Sequence, residues 1–310
     1  MERNLVNKKI VICGCHEYGY KIAENLLSSG VTISHFVSLT PEQSKQFQVS
    51  GYHSFESLST KYKIPIYYPN TYSLNDPKDL DFFKKNSFDL LIVAGWQRLI
   101  PNEILETLSL FGLGLHGSSE LLPKGRGRSP VNWSLIENKS QFILHLFILK
   151  PNADDGDVIE YEKFQITNWD DCRTLYYKIS ISATNMLQKT IPLIFSNSLV
   201  RHKQTGEASY YPKRTPEDGK INWNLSSSDI YNLIRAVTKP YPGAFTFSDS
   251  KKILIWKSKP FDDLLKFENF SVGQVIDKFS NGDFIVKCGI GTLLITDYEG
   301  VVNTHDNLEI

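Results

Sequence analysis

The chain has 310 residues, 41% of them hydrophobic and 12% aromatic, with 34 basic and 34 acidic side chains. Its length suits about two domains on a prior of ~150 residues each, and its composition is that of a globular protein with substantial cores. A formal net charge of zero speaks against a nucleic-acid binder, which carries a basic excess. No stretch approaches the ~18 apolar residues of a membrane span, and the opening MERNLVNKK lacks an apolar secretion core, so no membrane association and a cytoplasmic location are expected. Cys13, Cys15, Cys172 and Cys288 show no zinc-ligand spacing and are expected to be buried free thiols, with no metal site.

Residues 9–14 (KIVICG) form an apolar run of strand length, and a helical pattern through Ile22, Leu26 and Leu27 then stops at Gly30. Further strands are predicted at 31–37, 64–68 and 88–94, with helices near 55–62 and 77–85. Strands alternating with helices predict an open, mostly parallel, Rossmann-like α/β sheet. Gly14 and Gly19 do not complete G-X-G-X-X-G, so no dinucleotide is expected. Ligands of such sheets bind beyond the carboxyl ends of the strands, here residues 13–19, 95–98 (GWQR) and 116–118 (HGS), which should converge on one crevice.

Residues 112–116 read as a strand ending in His116-Gly117-Ser118-Ser119, followed by a basic, glycine-broken loop at 124–128 (KGRGR). Ser129-Pro130 predicts a capping residue and the first residue of a helix over 130–138, whose positive end should attract anions. A second apolar run at 142–149 leads into the turn 151–157 (PNADDGD), from which one carboxylate could reach His116. Residues 168–197 read as one helix with Asp170-Asp171 in its first turn and Leu175, Ile179, Ala183, Met186, Leu187 and Ile191 on its apolar face. The polar stretch 207–219, with Pro212 and Pro216, marks a linker and divides the chain near residue 205, into 1–204 and 205–310. Beyond it a helix over 227–238, with the serines 226–228 as capping residues, and strands at 244–247, 253–256, 273–277, 284–288 and 292–296 predict a small β-barrel.

His116, Leu121-Leu122-Pro123, Arg126-Gly127 and Asp154-Asp155-Gly156 follow one another in an order that resembles the active site of the 10-formyltetrahydrofolate-dependent formyltransferases. The segments 210–223 (YYPKRTPEDGKINW) and 234–245 (IRAVTKPYPGAF) are similar to that family's linker and second-domain opening. His-Gly-Ser combined with Arg-Gly-Arg-Ser-Pro and Asn132-Trp133 resembles the branch that formylates nucleotide-linked amino sugars more than the related methionyl-tRNA enzymes. Two positions depart from the family's pattern. Its asparagine falls on Gly114, and the loop from His116 to Pro123 is longer by about two residues.

The resemblance implies a Rossmann-like catalytic domain followed by an OB-like barrel, and transfer of a formyl group from 10-formyltetrahydrofolate to an amine, with a CMP-linked nine-carbon sugar among the acceptors to consider. It implies a role in surface polysaccharide biosynthesis, with folate and a nucleotide-linked amino sugar as the partners; a homodimer is compatible with it. Such transfer passes through a tetrahedral oxyanion and needs proton traffic between the attacking amine and the leaving nitrogen. His116 would stabilise that charge and carry the proton, with Asp154 orienting it. Trp96, Gln97, Arg98, Leu99 and Ile100 would line the folate pocket with Asn152, Ala153 and Asp154. Gly117, Ser118, Arg126, Arg128, Lys213 and Arg214 would hold the sugar nucleotide. With no side chain at Gly114, the oxyanion donor is sought in its backbone N–H or in Gln97, Asn132, Ser118 or Ser119. Two alternatives stand beside this reading: a methionyl-tRNA formyltransferase, and a catalytically impaired relative that binds folate or a nucleotide sugar.

Overall fold

The computed structural model describes residues 8–309. In chain order, the first elements are β1 (Ile10–Cys13), α1 (Glu17–Ser28), β2 (His35–Val37), α2 (Pro41–Gln46), α3 (Glu56–Tyr62), β3 (Ile66–Tyr67), α4 (Pro77–Asn86), β4 (Leu90–Val93), α5 (Asn102–Leu105) and β5 (Phe111–Ser118). Then come β6 (Arg126–Gly127), α6 (Pro130–Ile136), β7 (Gln141–Ile148), β8 (Val158–Gln165), α7 (Cys172–Phe195) and β9 (Tyr210–Tyr211). The last are α8 (Ser227–Val237), β10 (Ala244–Ser248), β11 (Lys251–Asp262), β12 (Val275–Lys278), β13 (Phe284–Lys287) and β14 (Thr292–Glu299).

The chain forms two compact units. The first takes the residues up to Gly127 with Gln141–Gln165 and Tyr176–Tyr210; the second takes Arg128–Ser140, Ile166–Leu175 and the residues from Tyr211 onward. A seven-stranded sheet in the order β3-β2-β1-β4-β5-β7-β8 builds the first unit. Its strands β3, β2, β1, β4 and β5 pair in parallel, whereas β7 runs antiparallel to β5 and β8 antiparallel to β7. The apolar runs at β1 and β4 are buried throughout or nearly so, as expected of strands covered on both faces. Leu175, Ile179, Ala183, Met186, Leu187 and Ile191 of α7 are all buried, each contributing on the order of 1.5–3 kcal/mol for the larger side chains.

Several details differ from the sequence-based expectation. The helix α2 was not expected, although Thr40, Pro41 and Gln43 form a capping box with proline at the first turn. The strand β8 was also missed. Ser129 does not cap α6: its backbone is left-handed and its hydroxyl makes no capping bond, accepting instead from the Arg214 N–H at 3.4 Å. At seven residues α6 carries only a short dipole, so the expected anion site at its start has little to draw on. Asp170 and Asp171 precede α7 rather than forming its first turn. Asp171 accepts from the Thr174 N–H at 2.8 Å while its own N–H donates to the Thr174 hydroxyl at 3.0 Å.

In the second unit, where a small barrel was expected, five antiparallel strands pair in the order β10-β11-β14-β13-β12. Register shifts along the long strand β11 bend this sheet. Ser226 caps α8 as expected, accepting from the Asp229 N–H at 3.1 Å. All four cysteines are buried and free. No helix among the described residues is long and apolar enough to cross a membrane.

One glycine fixes how the chain turns after β7. A Cβ on Gly156 would lie 1.5 Å from the Ile148 carbonyl oxygen, so the turn carrying Asp154 packs against the end of β7 only because residue 156 has no side chain. Gly156→Ala should therefore cost about 1–3 kcal/mol of unfolding free energy, measured by urea denaturation; an unchanged midpoint and slope would show that the turn can relax away from Ile148.

Candidate functional site

His116 and Asp154, 38 positions apart in sequence, meet at the carboxyl end of β5. His116 Nδ1 lies 3.3 Å from Asp154 Oδ2, with the two side chains 7% and 19% exposed. The basic loop supplies the remaining partners through its backbone. The Gly125 carbonyl lies 2.8 Å from His116 Nε2, and the Gly127 N–H donates to Asp154 Oδ2 at 3.1 Å. The carboxylate and the carbonyl are both acceptors, so making both contacts at once uses an N–H on each ring nitrogen. Asp154 itself sits at φ +55°, a left-handed conformation that non-glycine residues seldom adopt and that is over-represented at functional sites.

Gln204, which sequence reasoning missed, holds this arrangement from outside. Its amide donates to the Asp154 and Gly156 carbonyls at 2.8 and 2.7 Å, and its side-chain oxygen accepts from Arg126 Nη2 at 2.7 Å and Nε at 3.2 Å. Arg126 also donates to the Tyr210 hydroxyl at 3.1 Å. Arg126 is thus a loop anchor in this structure, with its guanidinium already engaged. Gln204 lies in a polar run with no motif around it, so nothing in the sequence marked it.

The ends of β1 and β4 do converge, on a second cluster. His16 is buried, its Nδ1–H donates to the Gly95 carbonyl at 2.7 Å, and its Nε2 accepts from the Gln97 amide at 3.0 Å. Burial lowers its pKa, which keeps the neutral tautomer that this pairing requires. The Tyr72 hydroxyl accepts from the Gln97 backbone N–H at 3.2 Å and lies 3.6 Å from Cys15 Sγ. Trp96 packs edge-on against Tyr72, and the Arg98 guanidinium lies 4.5 Å above its ring. Burial pushes the Cys15 thiol up to about 12, so it is an inert packing group. In the expected folate segment Ile100 is buried and Leu99 is exposed. The buried Trp96 Nε1 has no partner among the described residues. Asn152 donates to Asp155 Oδ2 at 2.9 Å, bracing the turn that also contains Ala153.

The expected oxyanion donors fare unequally. Gly114 lies on the same face of β5 as His116, two residues away. A Cβ there would come within 2.7 Å of both Phe147 and Leu149, so these side chains fill the space an asparagine would use. Gln97 is engaged with His16 as described. Asn132 is buried in the second unit, where its amide donates to the Ala236 carbonyl at 2.6 Å. The Ser118 hydroxyl accepts from the Glu120 N–H at 3.1 Å. The Ser119 hydroxyl is buried with no partner among the described residues, and so keeps its donor unspent.

The expected sugar-nucleotide residues also divide. Gly117 and Ser118 are buried inside β5, Gly117 beneath the ring of Phe142, which leaves their side-chain positions closed to a ligand. In the second unit Arg214 lies 5.0 Å over Trp133 and donates to the Asp218 carbonyl at 2.6 Å, which makes it a structural group there. Lys213 is exposed and Arg128 half-buried. Neither side chain makes a hydrogen bond or ion pair among the described residues, so both cations are uncommitted.

Comparison with known proteins adds the family. The pattern described as "Formyl transferase" matches residues 8–191, and "Formyl transferase, C-terminal domain" matches residues 213–300. A bifunctional polymyxin resistance protein ArnA of Wigglesworthia glossinidia brevipalpis is 33% identical over 281 residues, covering 90% of this chain but only 41% of that protein. WlaRD, a sugar 3N-formyl transferase solved with dTDP and 5-N-formyl-THF, shares the fold at a TM-score of 0.66 and 20% identity, over 95% of this chain and 99% of its own. An N-formyltransferase from Helicobacter canadensis, in complex with folinic acid and dTDP-3-aminofucose, does so at 0.65 and 18%, over 94% and 100%. At these identities the solved structures speak for the fold alone. The two family patterns together span both units, and the chain belongs to the formyl transferase family.

Proposed function

We propose that this protein is an N-formyltransferase that moves the formyl group of 10-formyltetrahydrofolate to the amine of a nucleotide-activated amino sugar. The observation that carries the reading is the His116–Asp154 pair, 3.3 Å apart and braced on both members by one loop. Sugar substrates are favoured by the two sugar enzymes of the same fold. The formal net charge of zero weighs against tRNA. A CMP-linked nine-carbon amino sugar is one acceptor to assay, beside dTDP-linked amino sugars. The reading keeps residues 1–204 as the catalytic domain and 205–310 as the smaller domain, in a cytoplasmic enzyme of surface polysaccharide biosynthesis.

The roles follow from the groups. With Nδ1 held by Asp154, the ring exchanges protons through Nε2, the nitrogen that now meets the Gly125 carbonyl. His116 would set that N–H against the formyl oxygen as charge builds there, then give the Nε2 proton to the leaving nitrogen and take the amine's proton in its place as the bond to the folate nitrogen breaks. Asp154 fixes the ring's orientation. The Ser119 hydroxyl, the one expected side-chain donor left unspent, would meet the oxyanion, since the backbone of Gly114, the other candidate, pairs with Phe147 in the sheet. The folate would lie against residues 96–100, where the unpartnered Trp96 indole N–H can donate to a planar, hydrogen-bonding ring, with Leu99, Ile100 and the Asn152–Asp154 turn as its other contacts. Arg128 and Lys213 would meet the phosphates.

A second reading, a folate- or nucleotide-sugar-binding relative with impaired catalysis, is favoured by one observation: Phe147 and Leu149 close the space beside Gly114. Folate-dependent formylation across a panel of nucleotide-linked amino sugars separates the two. With an accepted sugar, His116→Ala and Asp154→Ala should each abolish turnover and remain folded by circular dichroism; near-normal turnover by either would remove the site assignment. Arg128→Ala should raise KM for the sugar nucleotide by about tenfold and leave that for the folate unchanged. Arg126→Ala, which releases Gln204 and the Asp154 turn, should instead lower kcat. If both arginine variants behaved alike, the phosphate role of Arg128 would fall. Gly114→Asn should give no gain in turnover and should lower stability, because its side chain meets Phe147 and Leu149. A gain of an order of magnitude or more, the scale of one oxyanion donor, would favour the impaired-relative reading.

A further inference from the structure

His145 sits in the middle of the apolar run of β7, 1% exposed, directly across from His116 in the antiparallel register. A buried histidine in such a run is ordinarily a core residue with its polar atoms satisfied nearby. Its two partners here are more telling. Nδ1–H donates to the His116 carbonyl at 3.3 Å, and Nε2 accepts the Leu122 N–H at 3.3 Å. The ring therefore bridges the two ends of the lengthened loop segment that starts at His116. Three residues beyond Leu122, the Gly125 carbonyl returns to His116 Nε2 at 2.8 Å, and Gly127 then reaches Asp154.

Carrying one donor and one acceptor requires the neutral imidazole, since the cation would turn a second N–H toward the Leu122 N–H. Burial and the neighbouring His116 hold the His145 pKa down at about 4, which keeps it neutral across the physiological range. An aliphatic residue could fill the same volume but would leave the Leu122 N–H without this acceptor.

We propose that His145 is a positioning residue for His116: its neutral ring clamps the inner end of the loop, as Arg126 and Gln204 anchor the outer end, and so sets where Gly125 and Gly127 meet the catalytic pair. The proposal rests on the reading of His116 as the catalytic group. A clamp of this kind acts on how the reacting groups are placed rather than on ground-state binding of the folate.

His145→Phe keeps the ring volume and removes both nitrogens. It should lower kcat by about tenfold or more while KM for 10-formyltetrahydrofolate stays within about twofold. The Leu122 amide should lose protection in native-state hydrogen exchange. His145→Gln, which carries an acceptor toward Leu122, should recover much of both. If the phenylalanine variant does not fold, His145→Asn, too short to reach Leu122, takes its place in the comparison. Wild-type kcat in the phenylalanine or asparagine variant would overturn the proposal, as would unchanged exchange at Leu122. An active His116→Ala would overturn the reading of the site instead, while the exchange measurement, which does not depend on turnover, judges the clamp separately.

Discussion

Antiparallel pairing of β5 with β7, with Leu113 opposite Ile148 and His116 opposite His145, brings the chain back past the end of β5 and delivers the Asp154 turn beside His116. A parallel β7 would need a crossover connection; the antiparallel strand ends opposite Leu113, and the turn that follows it folds back to set Asp154 against His116. The other features of the pair depend on this reversal. Gly156 lets the turn fold tightly onto Ile148, and Asp154 takes up a left-handed backbone that is tolerated because Gln204 and Gly127 hold it from two sides. The pair is therefore positioned largely by main chain, which loop substitutions alter less than they would a cage of side chains.

The polar side chains follow the same economy. His16, Gln97, Ser118, Asn132 and Arg214 all spend hydrogen-bonding capacity on holding the fold. Seven buried side-chain atoms have no partner among the described residues; four of them, on His35, Ser38, Ser134 and Ser258, lie outside the proposed site, and three are the Trp96 indole, the Ser119 hydroxyl and one Asp155 carboxylate oxygen. Leaving a buried polar atom unpaired costs on the order of 1–3 kcal/mol, and all three fall in segments to which the resemblance assigned ligand contacts. Such atoms are where a bound molecule can add hydrogen bonds without first breaking any in the protein.

The parallel strands were legible because covered strands read as continuous apolar runs, and 9–14 and 88–94 needed no other signal. The strand β8 was not, since VIEYEKFQ is mostly half-exposed and charged and has only Ile159 buried. Ser129-Pro130 carries the local signature of a helix start, yet the backbone there is left-handed, a constraint absent from the two residues themselves. His116 and Asp154 could be named from sequence, but only through a resemblance, because 38 intervening positions carry no distance information. His145 was hidden by its setting: inside FILHLFIL, a histidine that packs and one that bridges two loop ends look the same until register is known.

The Gly125 carbonyl has one more consequence. Its oxygen, 2.8 Å from His116 Nε2, occupies the hydrogen-bonding direction that any external acceptor at that nitrogen must take. The protein therefore carries its own competing ligand, tethered on a glycine-flanked loop. On the proposed role of His116, a molecule that bonds to this nitrogen would displace that carbonyl, and its apparent affinity would be scaled by the fraction of chains in which the contact is open. An incoming oxygen that accumulates negative charge competes better than a neutral amide carbonyl, because hydrogen bonds to charged acceptors are roughly twice as strong. With His116 in the role proposed above, the contact that covers the imidazole would favour, by charge alone, the species formed at the summit of the reaction.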